Sequence, residues 1–152
     1  MLSDYLSSRR NKPVSLLVIE DNEDHQLLIG HSLKVKVPRA KPIFAHSAQE
    51  ALIHLQLTQA NITTFPQLVL LDLYLPDLSE GWKLLTELRK HYPLLPIIIL
   101  SSSKDTDIVR QAYELGAHSF LSKPSSLDEW ESTFQSLNDY WFGVISLPLR
   151  GN

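Results

Sequence analysis

Residues 68–72 read Leu-Val-Leu-Leu-Asp, four apolar residues closed by a carboxylate. A short, unbroken apolar run is the pattern of a strand in a parallel sheet covered on both faces. Asp72 then stands at the strand's carboxyl end, the edge where open α/β sheets bind ligands. Three further runs have the same form. Leu16-Leu17-Val18-Ile19 ends in Glu20 and Asp21, Ile97-Ile98-Ile99-Leu100 ends in Ser101, Ser102 and Ser103, and Ser119-Phe120-Leu121-Ser122 ends at Lys123. These strands aim three carboxylates, a hydroxyl and an ammonium at one edge. Such a set suits a divalent cation beside a phosphoryl group.

The segments between the strands read as helices. The first runs from Glu23 to Lys36. Pro38 to Pro42 reads as a break, followed by a short strand, Ile43-Phe44-Ala45. Ser47-Ala48-Gln49-Glu50 and Ser126-Leu127-Asp128-Glu129 have the form of capping boxes and open two more helices. A third helix carries Trp82, Leu84, Leu85 and Leu88 and stops before Pro93. A fourth, capped by Asp105 or Thr106, ends at Gly116 as a helix with a glycine C′ residue does. The fifth is expected to run to about Trp141. Regular alternation of strand and helix means right-handed crossovers and a parallel sheet.

The bulk properties narrow the function. The 152 residues are 43% hydrophobic and 20% charged, an ordinary globular balance for one domain. A net charge of -3 argues against nucleic acid, which requires a concentrated positive face. No cysteine is present, which excludes thiolate metal sites and cysteine nucleophiles. No apolar run reaches the length of a membrane span, and the polar N-terminus lacks the form of a signal peptide. A cytoplasmic protein is expected. Its organisation is expected to be a flexible arm at 1–13, a domain at 14–142 and a C-terminal tail at 143–152.

Taken together, these motifs resemble the receiver domain of bacterial two-component response regulators. The resemblance covers about 14–141. It is carried by the acidic pair Glu20-Asp21, by Leu71-Asp72-Leu73-Tyr74-Leu75-Pro76 with Gly81 beyond, by Leu100-Ser101-Ser102, and by Phe120-Leu121-Ser122-Lys123-Pro124. It implies a flavodoxin-like (βα)5 fold, doubly wound, with strand order 2-1-3-4-5. It also implies that Asp72 takes a phosphoryl group from a sensor histidine kinase. Mg²⁺ would be held by Asp21, Asp72 and the backbone carbonyl of Tyr74, with Glu20 acting through a metal-bound water. Lys123 and Ser101 would stabilise the phosphoryl oxygens. Ser101 and Phe120 would form the switch, altering the face built from the fourth helix, fifth strand and fifth helix. Apart from its own phosphorylation and slow self-dephosphorylation, no enzymatic turnover is expected.

Several features distinguish this sequence within the family it resembles. Ser101 replaces the more frequent threonine, and Asp77 stands where glycine is common. Tyr74 offers no group to orient a hydrolytic water, so the phosphate is expected to be long-lived. With no DNA-binding segment after the fifth helix, output is expected through protein contacts. The ending Tyr140-Trp141-Phe142, then Leu147-Pro148, looks like the single-domain regulators that partner phytochrome-type kinases. Leu127, Trp130, Phe134, Leu137 and Trp141 form a helical stripe. With the apolar tail beyond it, this suggests a homodimer through helix five and the tail.

Other classes fit less well. A phosphorelay intermediate that passes phosphate to a histidine phosphotransfer protein would use the same residues. An aspartate-nucleophile phosphohydrolase resembles Asp-x-Asp after its strand, whereas Tyr74 stands here. An FMN binder needs a hydroxyl- and glycine-rich loop where Glu20 and Asp21 repel phosphate. His25 reads as a surface residue of the first helix with no catalytic role.

Overall fold

The computed structural model describes residues 12–142. Five strands, β1 (Val14–Ile19), β2 (Ala40–Ala45), β3 (Leu68–Leu71), β4 (Ile97–Ser101) and β5 (Ser119–Ser122), form one sheet. Every pairing is parallel, and the order β2-β1-β3-β4-β5 is the one expected. Five helices connect and flank them: α1 (Glu23–Lys36), α2 (Ala48–Thr58), α3 (Leu78–His91), α4 (Thr106–Glu114) and α5 (Leu127–Leu137).

The period-two alternation of the strands divides the core into two layers. Leu17, Ile19, Val69, Leu71, Ile97 and Ile99 pack with Leu55, Leu84, Leu88 and Ala112 of α2, α3 and α4. Their neighbours Leu16, Val18, Leu68, Leu70, Ile98 and Leu100 pack with Ile29, Leu33, Trp130 and Phe134 of α1 and α5. Helices on both faces thus account for strands without a polar side.

Helix starts follow the sequence closely. Ser47 and Ser126 accept the backbone N–H of Glu50 and Glu129, as capping boxes require. The glutamates reach one residue further back than the box predicts, to the N–H of His46 and of Ser125. Asp105, rather than Thr106, caps α4. Gly116 follows the end of α4 at φ +105°, where a side chain would be strained.

Two boundaries differ from expectation. β2 starts at Ala40, through Pro42, where a break was expected. β2 is an edge strand, and a proline's missing N–H is tolerated where one side has no ladder partner. Helix five does not continue to Trp141: α5 ends at Leu137 and the chain widens into a π-helical turn, Asn138–Phe142. That turn places Phe142 in the core with Trp130, Phe134 and Leu137, so most of the aromatic stripe is used inside the domain. Leu127, by contrast, is exposed. The expected arm lies largely, and the tail entirely, outside the described residues, as does most of the surface invoked for a homodimer.

Arginines brace the ends of the fold. Arg39 donates to the carbonyls of Lys12 (2.9 Å) and Phe142 (2.7 Å). Arg89, near the end of α3, donates to the carbonyls of Pro93 (2.8 Å), Leu95 (3.1 Å) and Gly116 (2.6 Å). One guanidinium thereby ties three loop carbonyls behind β4 and β5.

Gly81 in α3 touches the loop that follows β3. A Cβ there would lie 1.8 Å from the Leu73 carbonyl oxygen, a backbone atom that cannot step aside. Gly81→Ala should therefore cost about 3 kcal/mol or more, visible as a lower urea midpoint with an unchanged slope.

Candidate functional site

β1, β3 and β5 each hand the residue that follows them to the carboxyl edge through one more backbone bond. The Glu20 N–H donates to Ala45, that of Asp72 to Ile19 and that of Lys123 to Ser101, continuing the ladder past the strand ends. The side chains that follow the apolar runs are therefore fixed by the same register that builds the core.

The structure brings Glu20, Asp21, Asp72 and Lys123 together. One carboxylate oxygen from each of the three acids lies within 4.8 Å of the others. Glu20 and Asp72 are buried and Asp21 is exposed, so the cluster opens to solvent on one side. The Lys123 ammonium donates to Glu20 Oε1 at 2.5 Å and to Asp72 Oδ2 at 3.2 Å. Asp72 Oδ1 accepts the Tyr74 N–H at 3.1 Å, which sets the carboxylate's rotation. Tyr74 itself lies in the loop after β3, half-buried against the α2–α3 side of the core.

Ser101 and Phe120, the expected switch pair, lie on β4 and β5. Ser101 is fully buried at the end of β4, and its Oγ accepts the Ser103 N–H at 3.2 Å. Phe120 is half-buried against the layer under α3 and α4. Its N–H donates to the Tyr113 hydroxyl of α4 at 3.1 Å, a link between α4 and β5.

His25 was read as a plain surface residue, and the structure corrects this. Its Nδ1 lies 2.8 Å from Lys123 Nζ and 3.4 Å from Glu20 Oε1. The first turn of a helix that follows a strand lies at the sheet's carboxyl edge, and position 25 belongs to that turn. That placement was the available signal. Burial, and then the Lys123 ammonium, hold the ring below the usual histidine pKa.

The acids fit a hard divalent cation. Three carboxylates converge, and one of them already shows the strain of their crowding. Burial, followed by hydrogen bonding and charge repulsion from Glu20, pushes Asp72 up to about 6, although Lys123 and the Tyr74 N–H act in the opposite sense. A cation at the open side would relieve this repulsion with oxygen ligands of the kind Mg²⁺ takes.

The profile of the response regulator receiver domain matches residues 16–135. The chain belongs to this family. Response regulator Rcp1 of Synechocystis sp. is 27% identical over 94% of this chain and 99% of its own length. The probable methanogenesis regulatory protein FilR2 of Methanothrix harundinacea is 29% identical over 90% of this chain and 88% of its own. The crystal structure of the Mn²⁺-bound form of Rcp1 superposes with a TM-score of 0.76, covering 90% of this chain and 99% of that one. The response regulator RPA3017 in red light signaling of R. palustris superposes at 0.78 with 25% identity, covering 89% and 98%. Among the described residues no helix is long and apolar enough to cross a membrane.

The raised Asp72 pKa has a definite sign. Without metal, the folded chain keeps a proton on Asp72 at pH values where the unfolded chain, near 3.8, has lost it. Stability from this group therefore falls as pH rises from about 4 to 6 and stays reduced above. Asp72→Asn should raise metal-free stability at pH 7.5 by on the order of 2 kcal/mol and lose that advantage below pH 4. Urea titrations of both proteins across this range, in chelator, check it.

Proposed function

We propose that this chain is a single-domain two-component response regulator of the cytoplasm whose phosphoryl acceptor is Asp72. The observation that supports it most is the placement of the Asp72 carboxylate at the end of β3. One oxygen there is tied to Lys123 and the other to the Tyr74 N–H, with Glu20 and Asp21 beside it. Near-complete coverage of Rcp1 supports the single-domain reading.

The chemistry is a displacement at phosphorus. An Asp72 oxygen forms the new P–O bond as the P–N bond to a kinase histidine breaks. The departing imidazole keeps the electron pair and takes a proton from solvent. Negative charge spreads over the phosphoryl oxygens, so the reaction requires cations placed beforehand. Lys123 is one, already within hydrogen-bond reach of Asp72. Mg²⁺, when held by Asp21, Asp72 and the Tyr74 carbonyl with Glu20 through water, would supply the rest of the charge compensation. The phosphoryl group would then draw the Ser101 hydroxyl away from Ser103. Phe120 and its link to Tyr113 would follow, changing the α4-β5-α5 face for a protein partner.

The phosphoryl donor in this proposal is a sensor histidine kinase of the phytochrome type. The Tyr140-Trp141-Phe142 ending and the likeness to the red-light regulator RPA3017 support that choice. Homodimerisation through α5 and the tail remains part of the proposal, with sedimentation of full-length protein as its test.

With Mg²⁺ and a phosphorylated kinase or acetyl phosphate, wild-type protein should gain one acid-stable, base-labile phosphate and Asp72→Asn none. Labelling of the mutant at the wild-type rate would remove Asp72 from the role. Mg²⁺ at about a hundred times its dissociation constant should stabilise the wild type by about 2.7 kcal/mol through mass action. Asp21→Asn should lose most of that gain, as read by thermal melts with and without Mg²⁺.

A further inference from the structure

We infer that His25 is a positioning residue for phosphoryl transfer, its Nδ1 holding the Lys123 ammonium at the Asp72 carboxylate. This deepens the proposed function and rests on Asp72 being the acceptor.

An ammonium has three N–H donors. Those of Lys123 have three acceptors within reach: Glu20 Oε1, Asp72 Oδ2 and His25 Nδ1 at 2.8 Å. The partners differ in what the reaction does to them. Asp72 loses its charge to the phosphoryl group when the acyl phosphate forms. Glu20 faces the acidic cluster and shares its field with Asp21. His25 alone among the three takes no part in either change. It is a neutral acceptor, since an ammonium only donates and an Nδ1 at 2.8 Å from it must present its lone pair. A neutral acceptor orients Lys123 without cancelling the charge that the phosphoryl oxygens need. A carboxylate at this place would compete with them.

The imidazole is also held from behind. Its backbone N–H donates to the Asn22 side chain at 3.0 Å, which fixes the first turn of α1. Its ring lies against Trp130 of α5, with centroids 6.2 Å apart and planes tilted by 46°. Trp130 is itself buried in the core layer beneath α1 and α5. With Nδ1 as acceptor, the ring proton sits on Nε2. Lys123 is thus steadied by a group anchored in two helices, α1 and α5, while its own backbone hangs from β4 through the Ser101 carbonyl.

The test uses the full chain with Mg²⁺ and phosphoramidate as donor, reading maximal rate, half-saturating donor concentration and Mg²⁺ affinity. His25→Ala should lower the maximal rate about tenfold, the scale of one charge-assisted hydrogen bond, with Mg²⁺ affinity held within about twofold. Asn places an oxygen where Nδ1 stands, whereas Gln reaches to the place of Nε2. His25→Asn should therefore recover to within about threefold of wild type, and His25→Gln should not. In a Lys123→Ala background, removing His25 should change nothing further, because its effect passes through the ammonium. A wild-type rate in His25→Ala, equal loss in the Asn and Ala variants, or full additivity with Lys123→Ala would each overturn the inference while leaving Asp72 as acceptor. A wild type that labels nowhere, or labels elsewhere than Asp72, would overturn both.

Discussion

Two buried carboxylates, Glu20 and Asp72, are held against one buried ammonium at the mouth of an apolar sheet. Burying these carboxylates, and then setting like charges this close, is unfavourable, and Lys123 offsets only part of the cost, as the raised Asp72 pKa records. β1, β3 and β5 end where they do so that three charged side chains meet, and the apolar layers on both faces provide the rigidity that holds them there. An arrangement that is electrostatically incomplete favours a cation at its open side. A fully satisfied one would have no reason to bind one.

Much of this was legible in the chain itself. Apolar runs closed by Glu20, Asp72, Ser101 and Lys123 identify strands and their carboxyl ends together, because the strands of a parallel sheet all stop at one edge. Ser47 and Ser126 announced their helices through capping chemistry that acts over three residues, a distance sequence displays directly. What escaped was non-local. Pro42 reads as a breaker unless its strand is known to lie at the sheet's edge. The wide turn at Asn138–Phe142 depends on drawing Phe142 into a core built by residues far away in the chain. His25 stands in the first turn after β1, which places it at the site's edge, but its partner Lys123 lies 98 positions away and only the fold brings the two together.

The acidic cluster and α4 are linked by short backbone paths. Lys123 hangs from the carbonyl of Ser101, and Ser101 lies on the strand next to β5. Phe120, three residues before Lys123, is tied to α4 through Tyr113. A movement of the Ser101 hydroxyl thus needs no long relay to reach α4, since one strand pair carries both the chemical group and the ring. Burial of Ser101 in a close-packed layer favours two discrete positions over a gradual drift.

Arg39 holds the carbonyls of Lys12 and Phe142 with one guanidinium, so the first and last described residues lie side by side. They do so beside the amino end of the sheet, where the Val14 N–H meets the Arg39 carbonyl, on the side away from the acids. The described domain therefore begins and ends on one side. Anything joined directly at these two residues would start from that side, away from the acids. A short linker between them could close the described domain into a ring and let it be cut elsewhere, as permuted proteins allow.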